Sequence, residues 1–198
     1  MRVIAGTRGG TRLHPPPTPR TRPTTDRVKE AIFASLGAAG GCGDVLDLYA
    51  GSGQLGIEAL SRGADHVDFV DSGRLACRTI ARNLAHTRFD QSATTWRLPL
   101  PRALRVLADR DRGPYHLVLV DPPYEAPELD EVLQQLGAGP LVVETTWLAV
   151  EHTKRRQLAD SYGVLGQVSS RRHGDNVYTL YRYRQPADAQ EAPPPSHS

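Results

Sequence analysis

Short apolar runs alternate along this chain with longer stretches whose apolar residues recur every three or four positions. The short runs at 45–49, 66–70, 93–97, 116–120 and 141–144 predict buried strands. Helical period fills the spaces between them, at about 53–62, 74–85, 102–108 and 128–136. Strands separated by single helices imply an α/β fold with a parallel, doubly wound sheet, since each parallel pair needs a crossover connection. The rhythm then changes. Residues 163–171 and 177–184 flank His173-Gly174-Asp175-Asn176 and predict an antiparallel hairpin that closes the sheet.

The stretch before the first strand follows neither rhythm. Residues 1–13 alternate loosely around Gly9-Gly10, as a small hairpin would. Residues 14–23 hold Pro15, Pro16, Pro17, Pro19 and Pro23 and should be extended and stiff. Thr24, Thr25 and Asp26 offer N-caps for a helix reaching about Leu36, with Val28, Ala31, Ile32 and Leu36 on one face. The end of the chain is rich in Pro, Ala and Ser without apolar period, which predicts disorder. The expected organisation is a basic arm at 1–23, an α/β domain at 24–184 and a disordered tail at 185–198.

Charge changes the picture more than composition does. The net charge is only +2, yet residues 1–30 carry Arg2, Arg8, Arg12, Arg20, Arg22, Arg27 and Lys29 against Asp26 and Glu30. The arm is therefore strongly positive and the body slightly negative, an arrangement suited to a polyanionic partner. No run approaches the roughly 20 apolar residues of a membrane span, and the polar N-terminus does not read as a signal peptide. The expected compartment is the cytoplasm. Cys42 and Cys77 are isolated, and the seven histidines are scattered without metal-ligand spacing, so no metal is expected.

Two segments carry candidate chemistry. The first strand runs into Asp47-Leu48-Tyr49-Ala50-Gly51-Ser52-Gly53-Gln54-Leu55-Gly56, where Gly51, Gly53 and Gly56 fit G-x-G-x-x-G. Such glycines permit a tight turn and let a ligand approach the backbone. Asp71, at the carboxyl end of the second strand, is placed to accept ribose hydroxyls; Asp68 lies deeper in that strand. The glycine pattern alone also fits NAD enzymes. Asp47 tilts the choice, because a carboxylate inside the strand suits a cationic ligand and opposes a pyrophosphate. Ala50, Gly51, Ser52 and Gly53 are the candidate cofactor loop.

The second segment is Asp121-Pro122-Pro123-Tyr124, after the fourth strand. An exocyclic amine of a base delocalises its lone pair into the ring and is a poor nucleophile. Asp121 and the Pro122 carbonyl can accept its two N–H bonds and hold the lone pair toward an electrophile. Consecutive prolines stiffen the loop, and Tyr124 can stack on a base turned out of its helix. Guanine N2, adenine N6 and cytosine N4 are all planar amines, and this motif does not separate them. A non-catalytic RNA-binding module is a further alternative, against which the intact Asp121 argues.

With both segments placed, the chain resembles the RsmD family, the bacterial 16S rRNA (guanine-N2)-methyltransferases. The likeness extends to about residue 184. It includes Arg2-Val3-Ile4-Ala5-Gly6, the stretch Arg22-Pro23-Thr24-Thr25-Asp26-Arg27-Val28-Lys29-Glu30, and Leu60-Ser61-Arg62-Gly63-Ala64, besides the two motifs. The resemblance implies a class I, Rossmann-like methyltransferase fold with a seven-stranded, mostly parallel sheet and an N-terminal β-hairpin. It implies S-adenosylmethionine as cofactor, and as partner 16S rRNA in the small ribosomal subunit or its assembly intermediate. A monomer is expected. Asp47 would order the loop around the methionine moiety, and Thr24 would line the cofactor mouth. Arg22, Thr25 and Arg27 would meet phosphate or the target nucleotide. Many relatives offer the adenine a polar side chain after the third strand. Here the sequence is Arg97-Leu98-Pro99-Leu100, which leaves the Leu98 backbone amide for that contact.

Overall fold

In the computed structural model, which describes residues 1–15, 26–124 and 126–184, eight strands form one sheet. They are β1 (Asp44–Leu48), β2 (His66–Asp71), β3 (Ala93–Arg97), β4 (Tyr115–Val120), β5 (Val142–Thr153), β6 (Ser161–Tyr162), β7 (Leu165–His173) and β8 (Asn176–Tyr183). The helices are α1 (Asp26–Leu36), α2 (Gln54–Arg62), α3 (Arg74–Thr87), α4 (Arg102–Asp109) and α5 (Leu129–Ala138). The strand order is β3-β2-β1-β4-β5-β8-β7-β6. The first five in that order are parallel, and β8, β7 and β6 are antiparallel additions. Arg22, Thr24, Thr25, the proline-rich stretch from residue 16 and the tail from residue 185 lie outside the described residues.

Apolar side chains from the two faces of the sheet build two cores. Val45, Val67, Phe69, Leu117 and Leu119 face α1, α2 and α3, while Leu46, Leu48, Val70, Val118 and Val120 face α4 and α5. Alternation along each strand makes this division possible, since successive side chains point to opposite faces. The order in which strands are added reverses between β1 and β4, with β2 and β3 on one side and β5 on the other. The carboxyl ends of β1 and β4 therefore flank the crevice where doubly wound folds bind ligands.

Two strand expectations need correction. The two-residue β6 makes the sheet eight-stranded, and its Tyr162 hydroxyl donates to Asp130 on α5 at 2.7 Å. More consequential is β5, which continues to Thr153 and does not stop at 144. The exposed pair Glu144 and Thr145 belongs to a bulge, across which the pairing moves from Tyr115–Val142 to Leu117–Trp147. Thr146 closes the bulge: its hydroxyl donates to the Tyr115 carbonyl at 2.6 Å and accepts from the Val143 amide at 2.8 Å.

The N-terminal hairpin reduces to one bridge, Arg2 to Arg12, with a 3-10 turn over Gly6–Arg8 at its tip. It is seated on a buried carboxylate. Glu58 of α2 accepts from the amides of Ile4 (2.7 Å) and Ala5 (3.1 Å) and from Arg62 (2.8 Å). Lys29 of α1, fully buried, stands 3.6 Å from the same carboxylate and donates to the Arg2 carbonyl. Asp26 is the first residue of α1 and pairs with Arg2 at 3.5 Å.

Candidate functional site

A cleft of about 260 Å³ opens at the carboxyl ends of β1, β2, β4 and β5. One wall is the turn from β1 into α2. Tyr49, Gly51 and Gly53 take positive φ (56°, 56° and 78°), so the chain turns sharply and α2 starts immediately after Gly53. Gly56 serves packing. A Cβ there would come within 2.4 Å of the Phe69 ring, so its absence lets α2 lie close on the sheet.

Asp47 lies buried beneath this turn, and its Oδ2 accepts the Gly56 amide at 2.9 Å. Burial pushes its carboxyl well above the usual aspartate range, the Gly56 amide opposes, and the nearby Asp121 and Asp71 push further upward. Asp71 at the end of β2 accepts from the amides of Gly51 (2.9 Å) and Gly73 (2.7 Å). Asp68 has a different role. It is buried among the Trp96 indole N–H (2.8 Å), the Tyr115 hydroxyl (2.7 Å) and the Arg112 guanidinium (3.0 Å), which pins β2 to its neighbours.

Asp121, Pro122, Pro123 and Tyr124 line the cleft opposite the glycine turn, with Tyr124 56% exposed at the rim. Their loop is tied at two places. Tyr49 donates its hydroxyl to Glu128 at 3.1 Å, and Arg156 donates to the Ala126 carbonyl (2.9 Å) and to Asp130 (2.8 Å).

Of the candidate residues, Asp47, Ala50, Gly51, Ser52, Asp71 and the four residues from Asp121 come together around one cavity. Gly53 shapes the turn without lining it. Leu98 does not reach the lining, and its amide donates to the Trp96 carbonyl at 3.1 Å. A tight local turn thus occupies the amide expected to meet an adenine. Arg27 is exposed on the first turn of α1 and is likewise not in the lining. Glu151, His152, Thr153, Asn176 and Arg156 line the cleft although no motif marks them. The apolar run Trp147-Leu148-Ala149-Val150, continuing β5 past the bulge, was the available signal. Among the described residues no helix could cross a membrane, and no group of His, Cys, Asp or Glu is arranged to hold a metal.

Four carboxylates around one cleft, Asp47, Asp71, Asp121 and Glu151, favour a cationic ligand and disfavour a pyrophosphate. With the doubly wound sheet and its antiparallel terminal strands, this arrangement defines a class I, Rossmann-like methyltransferase. A family model described as Conserved hypothetical protein 95 matches residues 1–182, and the chain belongs to that family, the RsmD family. Among its relatives, YlbH of Bacillus subtilis, described as a candidate rRNA methyltransferase, is 36% identical over 184 residues. That match covers 93% of this chain and 100% of YlbH. Ribosomal RNA small subunit methyltransferase D of Escherichia coli K12 is 35% identical, over 76% of this chain and 71% of that protein. The structure of yhhF from Escherichia coli, described as a candidate methyltransferase, is similar with a TM-score of 0.79 at 30% identity. It covers 93% of this chain and 98% of its own.

Proposed function

We propose that this protein transfers a methyl group from S-adenosylmethionine to the exocyclic N2 amine of a guanine in the RNA of the small ribosomal subunit. One observation carries the reading: Asp121-Pro122-Pro123-Tyr124 and the carboxylates Asp47 and Asp71 share a single cleft at the switch point of the sheet. The relatives named as ribosomal RNA methyltransferases support RNA as substrate, and the basic arm supports a polyanion. The residues fit the cofactor. Asp71, anchored by two backbone amides, has further lone pairs for a ribose diol, and Asp47 gains from a nearby positive charge because burial resists its ionisation.

S-adenosylmethionine supplies, when bound, an electrophilic methyl group on a sulfonium. The chain does the rest by positioning and electrostatics. Asp121 and the Pro122 carbonyl accept the two N–H bonds of the amine, which directs its lone pair into the cleft. Asp121 then opposes the positive charge that develops on nitrogen and takes the released proton. Tyr124, exposed at the rim, stacks on the base once it has left its helix. In this reading the protein acts as a monomer in the cytoplasm, on the small subunit or its assembly intermediate.

The test uses labelled S-adenosylmethionine and small subunits from a strain lacking any such enzyme, with mass spectrometry of the digested RNA. N2-methylguanosine is expected. Asp121→Ala is expected to lower its formation about 10³-fold while cofactor affinity is kept. Methylation at adenine N6 or cytosine N4 would overturn the base assignment, and cofactor binding without any methylated RNA would overturn the substrate class.

A further inference from the structure

The catalytic loop has an acidic neighbour that neither motif includes. Parallel pairing of β4 with β5 sets Val120 against Val150, so the next residues, Asp121 and Glu151, stand side by side at the carboxyl ends of these strands. Alternation puts both on the face that carries Leu119 and Ala149. Adjacent strands are about 4.8 Å apart, near enough for the two side chains to converge on neighbouring groups of one base edge. Both residues line the cleft, and Glu151 is only 6% exposed. Its orientation is fixed from β8, because Asn176 donates its side-chain amide to Glu151 Oε1 at 2.7 Å. A carboxylate has about four acceptor sites, and this bond aims the group.

A carboxylate in that place accepts hydrogen bonds and donates none. Each amine that the Asp121 loop can hold has a characteristic neighbour on its ring. Beside the N2 amine of guanine lies N1–H, a donor. Adenine N6 has the lone pair of N1 beside it, and cytosine N4 has the lone pair of N3. An acceptor next to the amine site therefore bonds guanine and repels the lone pairs of the other two, selecting by repulsion as well as attraction. We infer that Glu151, aimed by Asn176, is the residue that selects guanine, by accepting its N1–H while Asp121 holds the adjacent amine. This rests on the base-amine reading above and gives that reading a source of specificity.

The test compares small subunits reconstituted with guanine or with 2-aminopurine at the target position. 2-Aminopurine keeps the C2 amine but presents a lone pair at N1. Wild-type protein is expected to prefer guanine about 100-fold in kcat/KM, the usual weight of a charge-assisted bond exchanged for a repulsion. Glu151→Gln presents an amide that can donate to that lone pair, and the preference is expected to fall below about fivefold, with cofactor affinity unchanged. A loss of general order would lower both rates together and leave their ratio intact. An unchanged ratio in Glu151→Gln, or a wild-type protein that does not discriminate, overturns the inference while N2-methylguanosine still forms. If wild-type protein makes no N2-methylguanosine, the base-amine reading falls and the inference with it. Should Glu151→Gln not fold, Asn176→Ala reads the same contact. Releasing the carboxylate is expected to lower the preference about fivefold, and an unaltered preference overturns the assignment.

Discussion

Glu58 and Asp47 are both buried carboxylates that touch α2, and they are built in opposite ways. Glu58 is surrounded by donors and cations: two backbone amides of the arm, Arg62 and Lys29. Asp47 accepts the Gly56 amide, and the nearby charges of Asp71 and Asp121 have its own sign. Burial of a charge is tolerated when partners replace the lost water. Around Glu58 the partners come from the chain itself, so that region is complete without a ligand and holds the arm to the body. Around Asp47 the compensation is partial, and a cation entering the cleft would improve it. The contrast separates a polar network that serves the scaffold from one prepared for a ligand.

Removing Glu58 should break the first side of this contrast with the largest effect. Glu58→Ala strands Lys29 and the amides of Ile4 and Ala5 in a buried site. Burial already pulls the Lys29 ammonium below its usual range while Glu58 opposes that pull. We expect a loss of about 3–5 kcal/mol in urea unfolding, the usual cost of deleting one member of a buried pair. A loss under about 1 kcal/mol would show that the arm seat is not a structural element. Asp47→Asn should act in the other direction. The folded protein holds the Asp47 proton above its ordinary value of 3.8, so the unfolded chain ionises first. Between these two values the unfolded state binds fewer protons, and stability falls as pH rises. The variant should lose that part of the pH dependence and be at least as stable as wild type at pH 7, yet bind S-adenosylmethionine more weakly. Thermal unfolding across pH, with calorimetric titration of the cofactor, checks both halves. A variant less stable at neutral pH with unchanged affinity would remove the contrast.

The first side of the cleft was legible in the sequence because its shape depends on backbone. A turn at positive φ needs glycine, and a stiff loop that lacks amide hydrogens needs proline, so Gly51, Gly53, Pro122 and Pro123 stand out against ordinary composition. Asp71 could be separated from Asp68 by its place at the carboxyl end of the strand, and the structure places Asp68 among its scaffold donors. The second side depends on side chains that meet only through pairing. Glu151 and Asn176 are 25 residues apart and become neighbours when β8 returns along β5. The bulge at Glu144 and Thr145 interrupts the apolar pattern and hides the second half of β5. The Leu98 amide is engaged locally, since its turn closes on the Trp96 carbonyl, a short-range contact that no motif signals.

The smallest expected effect lies where the two sides of the cleft are joined. Tyr49 follows β1 with φ 56°, a conformation costly for a side chain of this size, and from there its hydroxyl reaches Glu128 just before α5. Burial and the adjacent Glu128 carboxylate raise the phenol well above its ordinary range, so it stays a donor at any physiological pH. The bond therefore ties the turn carrying Gly51 to the segment following Asp121, and Arg156 holds the Ala126 carbonyl from the other side. Tyr49→Phe keeps the ring and removes only the tie. The Glu128 carboxylate can turn to water, so unfolding should change by no more than about 1 kcal/mol. The proposed methyl transfer depends more sharply on placement, since small displacements of Asp121 would alter the approach geometry. We expect kcat to fall about tenfold with cofactor affinity within twofold. An equal fall in kcat/KM with kcat unchanged would instead mean that Tyr49 contributes to binding, and that Arg156 alone suffices to hold the catalytic loop.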